Sequence, residues 1–229
     1  MKKLIPFLII LFILACSDAP TSPYIILKAT KTDEGHVFDV QVYGRLNKQQ
    51  LVAIASKIKK DSSQYDNLQI DYVLSGNNIK NLGGETVYAT INYHDIRKVT
   101  ALDTVNDLHD NRLSFIFTGF TAEQAKHMLS FSPPDTLGKT ILGKFIDDNI
   151  KTVSIVYKDN TKEGDVYILE MDTAGKVVSA TQPMMVTHNG VQKLIISPKG
   201  DYLTLTDDIL TMYSSDDPEK PYRSIKSGM

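Results

Sequence analysis

The stretch from Asp159 to Glu170 can be laid over a twelve-residue calcium loop, with Asp159 at position 1, Glu163 at 5, Gly164 at 6 and Glu170 at 12. Calcium takes hard oxygen ligands at that spacing, and the glycine permits the sharp turn. Thr161 stands at position 3 and is a poor ligand. Val166 to Leu169 alternate as a strand does, which makes a hairpin turn on a solvated surface the simpler reading. Asp103, Asp107, His109 and Asp110 form a second acidic group, with oxygen and imidazole donors of the kind a divalent metal uses. A solvated acidic loop explains the same residues. Nucleophilic hydrolysis needs a nucleophile beside a base. The five histidines are His36, His94, His109, His127 and His188, and none belongs to a Gly-x-Ser-x-Gly or His-Glu-x-x-His pattern. Gly83-Gly84 lacks the spacing and the Lys-Ser/Thr of a phosphate loop. No catalytic residue, metal ligand or cofactor is assigned on these grounds, and the chain is not expected to be an enzyme.

The remaining reactive residue is Cys16, the single cysteine. It follows Met1-Lys2-Lys3, a basic start, and an apolar run from Leu4 to Leu14 broken by Pro6. That run is too short for the ~20 residues that span a bilayer, and it fits the apolar region of a secretory signal. Ile13-Leu14-Ala15-Cys16 resembles the bacterial lipobox, which implies cleavage after Ala15 and lipidation of Cys16 with several acyl chains. Residues 1–15 are then a lipoprotein signal peptide and 16–23 a short tether rich in Pro and Ser. Lipidated Cys16 leaves no thiol for a disulfide, for catalysis or for zinc. Ser17 stands where an Asp would mark retention, and the resemblance to lipoproteins of two-membraned bacteria then implies transport to the outer membrane, with the protein facing the periplasm.

Composition narrows the field. The chain of 229 residues is 42% hydrophobic and 23% charged, an ordinary globular balance. Its 25 basic and 27 acidic residues give a net charge of −2, and loss of Lys2 and Lys3 makes the remainder more acidic. No basic excess exists to neutralise phosphates, so nucleic acid is not an expected partner.

Several elements can be placed. Tyr24 to Lys31 and His36 to Tyr43 read as strands around a Thr32–Gly35 turn. Asn47 opens a helix with Gln50 in the capping-box position, and Leu51, Ile54, Ala55 and Ile58 share one face. Leu68 to Leu74, Glu85 to Tyr93 and Arg112 to Phe117 follow as strands. Thr121 and Gln124 repeat the capping box for a helix ending near Leu129. Ser132-Pro133-Pro134-Asp135 reads as a linker. Beyond it come short strands near 140–146, 151–158, 165–172, 176–187, 191–197, 201–206 and 209–214. His188-Asn189-Gly190 is a hairpin signal among them. The expected class is α+β: an N-terminal mixed α/β sandwich module over 24–136, then a C-terminal all-β small antiparallel barrel or sandwich over 137–215. Residues 216–229 are expected as a flexible tail.

Tyr43-Gly44-Arg45-Leu46, followed by Leu51, Ile54-Ala55 and Ile58, resembles a module of uncharacterised bacterial and phage-borne lipoproteins. In that module a strand ends in a Gly-Arg-Leu turn, a helix with an Ile-Ala pair follows, then two strands. Asp71 to Gly76 and Val87 to Thr90 occupy the places of those strands. Gly119 to Gln124 and Gly143 to Asp148 are similar to the family's continuation into a small β-domain. The chain departs at Ser75, where the family often has Pro, and at Tyr88, where it often has Trp. The resemblance implies architecture and no activity.

The expected function is therefore that of a membrane-tethered, non-enzymatic lipoprotein that binds a protein partner. A protective inhibitor, giving toxin immunity or phage or plasmid exclusion, needs only a tether and a complementary surface. The alternatives are a carrier or sensor of a small apolar ligand held inside a barrel, and an envelope assembly accessory. Eleven tyrosines, several alternating along strands, are either sheet packing or interface anchors.

Overall fold

The computed structural model describes residues 23–77, 87–94, 113–162 and 165–228. Strands make up 53% of these and helix 12%. The expected α+β class is thereby corrected. The fold is mostly β, built on three sheets, and its two short helices lie on sheets without forming a layer of their own.

The first sheet has the order β1(Tyr24–Lys31), β2(His36–Val42), β3(Leu68–Leu74), β4(Val87–Tyr93), β5(Leu113–Phe117). Every pairing is antiparallel except β2 with β3, whose parallel crossover is made by α1(Lys48–Asp61). The helix begins where the sequence signals it. Asn47 Oδ1 accepts from Gln50 N at 2.9 Å, and Gln50 Oε1 accepts from Asn47 N at 2.9 Å. Leu51, Ile54, Ala55 and Ile58 are all buried against Phe38, Val40, Ile70, Tyr72 and Ile91. The opposite face of the sheet is polar: Asp71 accepts from Gln69 and Thr90, both at 2.7 Å. One sheet with a single helix packed on it is not a mixed α/β sandwich.

The second sheet runs β6(Lys139–Asp147), β7(Thr152–Asp159), β8(Asp165–Met171), β9(Val177–Thr181), and the third β10(Met184–His188), β11(Val191–Ile195), β12(Tyr202–Thr206), β13(Ile209–Ser214), β14(Asp217–Lys226). Both are antiparallel throughout. The second sheet is the middle layer. Ile146, Val153, Ile155, Leu169 and Met171 on one face pack under α2(Ala122–Leu129), through Ala125 and Met128. Phe145, Val156, Val166 and Ile168 on the other face meet Leu194, Leu203, Leu210 and Ile225 of the third sheet. That alternation is the period-two pattern of strands buried on both faces. The second helix therefore belongs to the core of the second sheet, although it precedes the Pro-rich linker.

Two further expectations differ from the structure. The apolar stretch 176–187, read as one strand, is two. Gln182-Pro183 divides it, and the chain leaves the second sheet for the third there, because proline offers no N–H to a ladder. Residues 217–226, read as part of a flexible tail, form β14, paired to β13 and anchored by Ile225 at 2% exposure. Among the described residues no helix is long and apolar enough to cross a membrane.

Candidate functional site

The turn that leaves β2 carries Arg45 across to the second sheet. Arg45 Nη1 donates to Asp148 Oδ1 at 2.9 Å and Nη2 to Oδ2 at 2.8 Å. Nη1 also donates to the carbonyl of Phe120 at 2.8 Å, while Phe120 N donates to Asp148 Oδ1 at 2.8 Å. The guanidinium lies over the Tyr88 ring, 5.6 Å from its centroid. Tyr88 O–H donates to Leu46 O at 2.7 Å, and burial pushes its pKa up to about 12 against the opposing pull of Arg45. Gly119 is required here by space: a Cβ would stand 2.8 Å from Asp148 Oδ1 and 2.9 Å from the Tyr88 ring. So Gly44-Arg45-Leu46, Tyr88, Gly119-Phe120 and Asp147-Asp148, scattered in the sequence, form one seam between the first and second sheets.

Beside this seam lies a cleft of about 610 Å3. Its walls are Tyr43 to Arg45, Leu74 to Asn77, Ile146, the α2 face made by Ala122, Ala125, Lys126, Leu129 and Ser130, and Lys226 to Gly228 at the end of β14. The α2 residues recur at the i, i+3, i+4, i+7, i+8 spacing of one helix stripe. That periodicity was the available signal for the cleft, and the reading of the sequence did not use it. Asn77 Oδ1 accepts from Lys226 N at 3.1 Å and ties the turn after β3 to the end of β14 at its rim.

A second surface is the β10–β11 hairpin. Asn189 and Gly190, with φ of 50° and 79°, make the tight turn the sequence signals. β10 is the edge of the third sheet, and all five of its residues are exposed. Met184 is 64%, Met185 43% and Val186 40% exposed, and Val191 opposite is 47%. By contrast Phe145, Ile168, Leu203 and Leu210 fill the interior between the second and third sheets.

Among the described residues the candidate chemistry drawn from spacing is not brought together. Asp159 and Asp165 are register partners at the β7–β8 turn, and Glu170 lies five positions further along β8. At about 3.4 Å per residue that separates Glu170 from Asp159 by far more than a calcium sphere. Asp159 Oδ1 is occupied by Thr161, accepting from its hydroxyl at 2.6 Å and its N–H at 3.0 Å, and these bonds hold the carboxyl below its ordinary range. Glu163 and Gly164 lie outside the described residues, as do Cys16 and the group Asp103, Asp107, His109 and Asp110. His36 stacks on Tyr65 with centroids 3.7 Å apart, His127 meets the edge of Phe131, and His188 ends β10. His94 Nε2 is 3.4 Å from Ser114 Oγ, with no described carboxylate bonded to the ring. The tyrosines divide. Tyr72 is buried and donates to Leu51 O at 2.7 Å, Tyr157 stacks on Tyr167 and Tyr202 on Tyr213, while Tyr43 is 57% exposed at the cleft.

No protein-family model matches the chain, and neither a curated protein nor a solved structure matches it.

Proposed function

We propose that the chain is a membrane-tethered, non-enzymatic lipoprotein of the bacterial envelope that binds a protein partner, as a protective inhibitor does. The observation that carries the binding half is β10. An edge strand presents unpaired backbone donors and acceptors, and natural edges are usually guarded by charge, proline or a cover. This one carries exposed Met184, Met185 and Val186 instead. An extended segment of a partner adds to such an edge through main-chain bonds, with side-chain contacts supplying the choice of partner. Methionine suits that task because its side chain adapts to the surface it meets. The tether half is supported by the order of basic start, apolar run and Ala15-Cys16, and the outer-membrane, periplasm-facing location by Ser17.

The test is genetic. Deletion is expected to sensitise cells to a competing strain, a phage or a delivered effector. Wild-type chain restores protection. The double variant Met184→Asp/Val186→Asp folds but does not protect, and Cys16→Ser leaves the membrane fraction and does not protect. Deleted cells that are no more sensitive to any such challenge would sink the inhibitor reading.

A further inference from the structure

We infer that the cleft beside the Arg45–Asp148 seam binds a small amphiphile with an anionic head, a site separate from the β10 edge. Its volume of about 610 Å3 lies within the ~300–1,000 Å3 usual for small-molecule sites. Leu74, Leu129 and Ile146 give it an apolar wall. Two ammonium groups belong to its lining, Lys126 on α2 and Lys226 on β14. No Asp or Glu is among the described residues that line it, although acids outnumber bases in the chain.

The state of each cation decides the sign of the site. Arg45 is neutralised by the two-pronged bond to Asp148. Lys144, nearby on β6, spends its ammonium on the carbonyls of Leu129 and Phe131, both at 2.6 Å. Those two carbonyls are thereby also withdrawn as acceptors for a ligand cation. Lys126 and Lys226 are in no ion pair among the described residues. Two positive charges with no ion-pair partner among the described residues, above an apolar wall, focus their field into the cleft and draw an anion. Ser75 and Ser130 add hydroxyl donors in the same lining. A charged head therefore goes to the lysines and an alkyl chain to the leucines and isoleucine. A free fatty-acid carboxylate and the phosphate of a single-chain phospholipid share that chemistry.

Native mass spectrometry of the full chain in a mild non-ionic detergent tests this. The probes are dodecanoate, dodecyl phosphate, dodecanol and dodecyltrimethylammonium. One equivalent of each anion is expected to add, and neither the alcohol nor the cation to compete with it. The better of the two anions distinguishes a carboxylate source from a phosphate source. Lys126→Glu and Lys226→Glu, both at exposed positions, should each weaken the anion adduct about tenfold, as loss of a charged hydrogen bond does. Lys60→Glu, an equal charge change on α1, should leave it unaltered. Equal binding of the cation, no adduct with either anion, or the same loss with Lys60→Glu as with the cleft lysines would overturn the inference.

Discussion

Arg45 and Asp148 stand 103 residues apart in the chain and meet through two parallel bonds of 2.8 and 2.9 Å, with the Asp148 side chain 2% exposed. Among the described residues neither charge has another charged partner. If Arg45 becomes Met, a buried carboxylate keeps, among the described residues, the Phe120 N–H alone, and such unpaired charges cost about 3–5 kcal/mol. Asp148→Leu strands the guanidinium to a similar degree. The double variant should cost much less than the sum of the two, because each single change leaves the other's charge behind. Urea unfolding of the four proteins measures this. Single variants that each cost under about 1 kcal/mol would show that water reaches the pair.

Glu170 is the group whose pH dependence runs against the usual carboxylate sign. Burial, and then repulsion from Asp147, raise its pKa above the ordinary 4.5. Between that ordinary value and the raised one, the folded state keeps a proton that the unfolded state has lost. Its contribution is full below the unfolded value and is lost as pH rises through the folded one. Glu170→Gln should therefore stabilise the protein at neutral pH and flatten the decline of stability above pH 4.5. An unchanged slope of stability against pH in the variant would rule this out. Asp201 has the opposite sign. The N–H of Ser215 and the hydroxyl of Ser197, each at 2.8 Å, hold its pKa down, so its contribution disappears on acidification.

Thr152 Oγ1 is buried and has no hydrogen-bond partner among the described residues. A desolvated hydroxyl of this kind costs about 1–3 kcal/mol, and Val has nearly its shape. Thr152→Val should raise stability by about 1 kcal/mol in thermal or urea unfolding. A loss of that size would mean that the hydroxyl is bonded in solution.

Two glycines separate backbone from packing. At Gly190 the φ of 79° is costly for any L side chain, but an added Cβ meets nothing within 4 Å. Gly190→Ala should cost about 1–2 kcal/mol and leave the rest of the structure in place. At Gly119 the same methyl runs into Asp148 and Tyr88, so Gly119→Ala must shift the seam. The amide resonances of residues 45 and 148 should move in the second variant and not in the first. Spectra in which both variants perturb the same residues would contradict the distinction.

The local devices were legible in the sequence. Asn47 with Gln50 and Thr121 with Gln124 announce their helices because a capping box satisfies its own donors within four residues. Asn189-Gly190 announces its hairpin because that turn needs two left-handed residues. What depends on distant partners was not legible. Gly-Arg-Leu and Asp-Asp are visible as motifs, but nothing local says that Arg45 reaches Asp148. Asp159 and Glu170 fit a loop when counted along the chain, and the hairpin then carries them apart. The polar run 217–226 hides a strand because it is the outer edge of its sheet, where only Ile225 is deeply buried. The α+β expectation fails for a related reason. Two helical stripes were real, but strands read from polar or proline-marked stretches were undercounted.

The order of strands also imposes a schedule on synthesis. β14 closes the third sheet, supplies Ile225 to its core, gives Asp147 its cation through Arg223, and joins Asn77 across 149 residues. Until residues 217–226 have emerged, β13 is a bare edge and Asp147 lacks the one cation that pairs with it among the described residues. A nascent chain stopped before β14 holds the cores of the first two sheets but lacks Ile225 in that of the third. Contacts this distant in sequence also slow folding, since the loop must close before they contribute.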